Sequence, residues 1–87
     1  MERKHHNLVI IGEKIRKLRL RRKYSQEALA HEAQLGRGYY GRIERGEQNV
    51  SIQNLIKIAI ILHVDPAKLL PPLRELKMPP AAKSASS

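Results

Sequence analysis

An all-α bundle of about five helices is the fold class that this 87-residue sequence predicts. Three observations predict it. Ile11, Ile15 and Leu18 recur at i, i+4 and i+7, which lines one face of a helix with apolar side chains. Cap-forming residues stand ahead of further apolar stretches at Ser25, at Ser51 and at Asp65-Pro66. Cysteine is absent, so neither a disulfide framework nor a thiolate metal site supports the fold. Phe and Trp are absent too and three Tyr are the only aromatics, so the core is aliphatic. A chain of this length is one small domain with a limited but sufficient core.

The first helix is expected from Leu8 to Arg22, with Lys23-Tyr24 as the link to the next. Ser25 caps the second helix, and Glu27 in its first turn suits the positive end of the helix dipole. Leu29 and Ala33 point inward, Ala30 permits close approach of another helix, and Gln34-Leu35-Gly36 makes the turn. The third helix spans Arg37 to Arg45 and Gly46 closes it. Its buried side is Tyr40 with Ile43. Gly38, Gly41, Arg42 and Arg45 fall on the opposite face, flanked by Arg37 and Tyr39. Ser51 caps a fourth helix from Ile52 to His63, with Ile52, Leu55, Ile56, Ala59 and Leu62 inward and Ile60 and Ile61 off the centre of that stripe. Asp65-Pro66 opens a fifth helix that Pro71-Pro72 stops. Leu73 to Met78 adds one further turn. Residues 1–7 are read as a flexible terminus, 8–78 as the single folded domain, and 79–87 as a disordered low-complexity tail.

The second and third helices, joined by a tight turn, have the spacing of a pair that places its second member in the major groove of DNA. Charge agrees. Seventeen Lys and Arg against eight Asp and Glu give a formal net charge of +9, which points to nucleic acid before an anionic membrane. Seven of the basic residues fall between Lys14 and Lys23 with no acid among them. Lys14, Lys17, Arg21, Arg22 and Lys23 are read as a general field rather than as specific contacts. The run Leu8-Val9-Ile10-Ile11 is too short for a signal core, and Ile58 to Leu62 is far too short to span a bilayer. A cytoplasmic protein is expected. His5 and His6 are adjacent but lack further ligands, and His31 and His63 are isolated, so no metal site is expected. No nucleophile–base pair, phosphate-binding glycine loop or ligand set marks an enzyme, a cofactor or a small-molecule site.

The segments Ile15-Arg16-Lys17-Leu18-Arg19, Ser25-Gln26-Glu27-Ala28-Leu29-Ala30, Ile43-Glu44-Arg45-Gly46 and Leu55-Ile56-Lys57-Ile58-Ala59 stand in order. Together they resemble the phage-repressor (Xre/Cro-type) helix-turn-helix family over about residues 8–70. Arg37-Gly38-Tyr39-Tyr40 and Glu44 to Ser51 look most like the controller proteins of restriction–modification systems. The resemblance implies a lambda-repressor-like bundle that binds double-stranded operator DNA as a homodimer. It implies that Arg37, Gly38 and Arg42 face base edges, that Gln26 meets a phosphate, and that Gln48, Asn49 and Ser51 lie along the backbone. It also implies a partly buried ion pair of Arg19 with Glu44. Four positions depart from the family pattern. Gln34 stands where glycine is common in the turn, and Gly36 replaces the usual Ser or Thr cap. Gly38 and Gly41 replace polar residues, which leaves base reading to fewer side chains.

An Arg can bridge O6 and N7 of guanine, which fits Arg37 and Arg42, although phosphate contact is the alternative for each. Gln26 can donate its amide to a phosphate at the helix start. Ser25, Tyr39 and Arg45 complete the candidate backbone contacts. Tyr39 has the alternative of covering the helix edge. Glu44 left free would repel phosphate, and pairing with Arg19 removes that conflict. Ile60, Ile61, Leu69, Leu70 and Leu73 are candidates for a dimer seam, unless the fifth helix folds back and buries them within one subunit. The functional alternative to a regulator is an antitoxin-type DNA-binding protein paired with a small toxin.

Overall fold

A computed structural model describes residues 5–80. Among them the architecture is all-helical and contains no strand. Four α-helices run α1 (His6–Arg21), α2 (Gln26–Glu32), α3 (Arg37–Glu44) and α4 (Ile52–Leu62). Two 3-10 turns follow, at Pro66–Leu69 and Leu73–Glu75. The proposed tail at 79–87 lies outside the described residues from 81 onward, as do residues 1–4 of the proposed flexible terminus.

Helix α1 begins two residues ahead of Leu8 because local partners fix its start. The His5 ring accepts from Asn7 N at 3.1 Å as a cap. Asn7 then clasps the C-terminal segment: its side-chain amide donates to the Lys77 carbonyl at 2.7 Å and its oxygen accepts from Lys77 N at 2.9 Å. Ser25 and Ser51 cap α2 and α4, their Oγ atoms accepting from Ala28 N at 3.0 Å and Asn54 N at 3.1 Å. Each bond satisfies a backbone donor that helix geometry leaves without a partner.

The fifth helical element is shorter than the sequence suggested. Asp65 makes no side-chain cap bond, and the segment closes through an i to i+3 bond from Lys68 N to the Asp65 carbonyl at 2.9 Å. With Pro71-Pro72 close behind, the chain has room for one tight 3-10 turn only. That turn folds back and inserts Leu69 into the core with no exposure at all. Leu69 is therefore removed from the dimer-seam candidates.

The core gathers Ile15, Leu29, Tyr40, Ile43, Leu55, Ile58, Leu62 and Leu69, all buried. In α4 the buried set is Leu55, Ile58, Ala59 and Leu62, spaced i, i+3, i+4 and i+7. This stripe is rotated from the expected one. It takes in Ile58 and pushes Ile52 to the edge, where it is 64% exposed, correcting its inward assignment.

Two glycines set the distance between α1 and α3. A Cβ on Gly12 would collide with the carbonyl oxygens of Ile43 and Glu44, so any other residue forces the helices apart. Gly46 ends α3 at φ +74° with Val9 backbone 2.7 Å from where a Cβ would stand. Both the left-handed backbone and the close approach require glycine there.

Candidate nucleic-acid interface

Helix α3 is held from beneath and free above. Tyr40 and Ile43 bury its inner side, while Arg37, Gly38, Arg42 and Arg45 are exposed. Gly41 departs from the expected outer face. It is buried, because the Arg45 guanidinium and the Gln26 side-chain oxygen fold over it at 3.2 and 3.7 Å from a notional Cβ. The outward ridge is therefore Arg37, Gly38 and Arg42, with Arg45 at its end.

The turn that delivers this ridge concentrates its bend at Gln34, with φ +59°, while Gly36 sits in ordinary extended backbone at φ −64° and ψ 141°. Leu35 N donates to the Ala30 carbonyl at 2.8 Å and closes the turn over the half-buried Leu35. Gly36 gives α3 a cap without a side-chain bond. The first amides of α3 are thus left unshielded by any capping side chain.

One acid lies on α3, and the fold neutralises it. Glu44 accepts from Arg19 Nε at 2.6 Å, from Arg19 Nη2 at 3.2 Å, from Gln26 Nε2 at 2.9 Å and from the Tyr40 hydroxyl. Arg19 also donates to the Tyr24 carbonyl at 2.9 Å. Side-chain exposure is 8% for Arg19 and 2% for Glu44. Burial opposes ionisation of Glu44, but the hydrogen bonds from Arg19, Tyr40 and Gln26 outweigh it and hold the carboxyl below its ordinary range. The bond to Glu44 raises Arg19 still further above neutrality, against its own burial. Burial, and then the bond to Glu44, push the Tyr40 hydroxyl up, so it stays protonated and donates. No buried side-chain polar atom among the described residues lacks a partner.

The remaining candidate residues surround the ridge. Arg42 Nε donates to Gln48 Oε1 at 3.3 Å, and its Nη1 lies 3.8 Å from where a Cβ on Gly38 would stand. Asn54, which sequence reasoning missed, donates to the Tyr39 hydroxyl oxygen at 2.9 Å and steadies a half-buried ring whose own proton remains to be donated. Ser25 and Ser51 accept as caps and keep their hydroxyl protons. Arg45 is paired with Glu47 at 3.0 Å, so part of its charge is already answered. Asn49 is exposed on the loop after α3. Gln26 is half-buried, with one amide N–H committed to Glu44. Its engagement there was not anticipated, because no sequence pattern ties residue 26 to residue 44.

Among the described residues no group of three or more His, Cys, Asp or Glu could hold a metal ion. None of their helices is long and apolar enough to cross a membrane.

Comparison with known proteins agrees with this geometry. The family described as helix-turn-helix matches residues 15–69. The control protein C.BamHI of Bacillus amyloliquefaciens is 46% identical over 63 residues, covering 71% of this chain and 78% of that protein. The crystal structure of the restriction-modification controller protein C.AhdI from Aeromonas hydrophila superposes with a TM-score of 0.74 at 41% identity, over 76% of this chain and 100% of that one. SinR, a Bacillus subtilis protein described as the master regulator for biofilm formation and solved in complex with DNA, matches with a TM-score of 0.65 at 38% identity, over 68% of this chain and 95% of that one. The chain belongs to the helix-turn-helix family of DNA-binding regulators, of Xre type, and within it is most like the controller proteins of restriction–modification systems.

Proposed function

We propose that this protein is a sequence-specific transcription regulator of the controller type, acting as a homodimer on a pseudo-palindromic operator. The observation that carries this reading is the exposed ridge of α3. Arg37 and Arg42 are exposed, whereas every buried side-chain polar atom among the described residues has a partner. Arg42, tethered through Nε, presents two nitrogens in the spacing that guanine O6 and N7 accept. Gly38 keeps the ridge low, so the α3 backbone can approach base edges closely. Ser25, Gln26, Tyr39, Asn49 and Ser51 border it with donors suited to phosphates. Arg45 and Gln48 stand at its far end.

A dimer doubles this surface with two-fold symmetry, which sets half-sites about one helical turn apart. Leu70 and Leu73, at 47% and 84% exposure, supply apolar area on the C-terminal segment for self-association. Ile61 is half-buried and contributes less, and Ile60 lies at the rim of a separate groove. The names of C.BamHI and C.AhdI support the controller reading.

Selection of bound duplexes from a random library, followed by sizing of the complex, tests it. A recurrent inverted repeat bound by two copies is expected, with affinity falling steeply as salt rises because phosphate contacts release counterions. Recovery of no common sequence would refute specificity, and a single copy on an asymmetric site would refute the dimer.

A further inference from the structure

An open groove of about 730 Å³ runs between α1 and the end of α4, away from the ridge. Lys14, Lys17 and Arg21 of α1 and Lys68 of the first 3-10 turn line it. Its floor and rim are apolar, formed by Leu18, Ala59, Ile60 and Val64, and Ile60 is 66% exposed. Asp65 is the one acid on its wall. Among the described residues ion pairs join only Arg19 to Glu44 and Arg45 to Glu47, so the four groove cations have no carboxylate partner.

Position separates this groove from the proposed DNA surface. On α1, Gly12 and Arg19 face α3. Lys14, Lys17 and Arg21 lie roughly half a turn around the helix from them. These cations therefore point away from the element that the second helix of the motif presents outward.

We infer that this α1–α4 groove is a docking site for an acidic, amphipathic helical segment of a partner protein. Cations flanking an apolar strip call for a ligand with carboxylates on either side of an apolar side chain. Duplex DNA answers the charge but offers a phosphate backbone nothing suited to Ile60 and Val64. A second copy seated here by two-fold symmetry would set four cations against four, with a single Asp65 on each side to offset them. An acidic helix with one or two leucines satisfies both features. The docking site is independent of the DNA reading and can stand if that reading fails.

The test uses a fluorescein-labelled peptide of about 15 residues, long enough for a few helical turns, with Asp and Glu flanking a leucine stripe. A peptide of the same composition with the stripe scrambled is the control. The full chain and its Lys14→Gln/Lys17→Gln variant are compared by anisotropy, by DNA binding and by mass in solution. The amphipathic peptide is expected to bind at least about tenfold tighter than the scrambled one, with the variant losing about tenfold. Amide shifts should cluster at Leu18, Ala59, Ile60 and Val64. The variant's ratio of affinities for a selected and a random duplex should hold within about threefold at one fixed salt concentration, since the loss of a general field weakens both alike, and its mass should not change. Equal binding of both peptides, or peptide binding unaltered in the variant, overturns the inference. A larger fall in that ratio assigns the groove to the DNA surface, and a change of mass assigns it to self-association; either result overturns it too.

Discussion

Replacing Glu44 with Ala should cost a large part of the domain's stability. The carboxylate is 2% exposed and accepts from Arg19 Nε and Nη2, Gln26 and Tyr40. Its removal leaves the Arg19 guanidinium, at 8% exposure, with the Tyr24 carbonyl as its remaining partner. Breaking a buried pair from one side costs about 3–5 kcal/mol. A domain of this length holds roughly 4–13 kcal/mol in total, so the loss runs from about a quarter of the stability to all of it. At about 4–8 °C per kcal/mol the melting temperature should fall by at least roughly 12 °C. Thermal and urea melts followed by circular dichroism at pH 7 measure this. The double variant Arg19→Met/Glu44→Met should be less damaged than Glu44→Ala, because no lone charge stays buried. A Glu44→Ala melting temperature within about 2 °C of the parent, the scale of a neutral surface change, would refute the reasoning.

The same carboxylate gives the protein an acid limit. Its folded ionisation lies below the unfolded value of about 4.3, so its contribution is complete above that value and drains away as pH falls through the folded one. Urea midpoints between about pH 5 and pH 3 should drop more steeply for the parent than for Glu44→Gln; parallel curves would contradict this. Gln34→Gly should stabilise the domain by up to about 1 kcal/mol, since an exposed side chain leaves a left-handed backbone and glycine's added unfolded entropy offsets part of the gain. A lower urea midpoint would show that Gln34 has an unseen role. Gly12→Ala should destabilise by roughly 1–3 kcal/mol, because its methyl group meets carbonyl oxygens rather than a yielding side chain; an unchanged melt would mean that α1 and α3 can separate without penalty.

Much of the fold was legible because it rests on local signals. Ser25 and Ser51 cap the helices that follow them, and Tyr40 with Ile43 forms the buried side of α3. Caps and periodicity act over one or two turns, and the sequence carries them directly. The rotation of the α4 stripe toward Ile58 was not legible, since Ile52, Ile56, Ile58, Ile60 and Ile61 are alike in chemistry and only the neighbouring helices choose among them. Leu69 was ambiguous for the same reason: whether a short C-terminal turn folds back is a tertiary question. At the candidate site, the exposure of Arg37 and Arg42 followed from the helical wheel. The covering of Gly41, the tether from Gln48 to Arg42 and the brace from Asn54 to Tyr39 did not, because each joins side chains whose meeting depends on the packed geometry. Gly12 carried a signal that a sequence alone leaves unread. A glycine inside a helix is unfavourable unless something approaches it, and here the end of α3 does.

The claim on which the rest depends is that the outward ridge of α3 reads base sequence. Its most direct test is the ratio of affinities for a selected operator and for random duplex at one fixed salt concentration, in the parent, Arg42→Ala and Arg74→Ala, the last an exposed cation on the second 3-10 turn. The ratio should fall by about tenfold or more for Arg42→Ala, the value of a lost bidentate base contact, and should hold for Arg74→Ala. An unchanged ratio in Arg42→Ala, or an equal fall in both variants, would contradict the account.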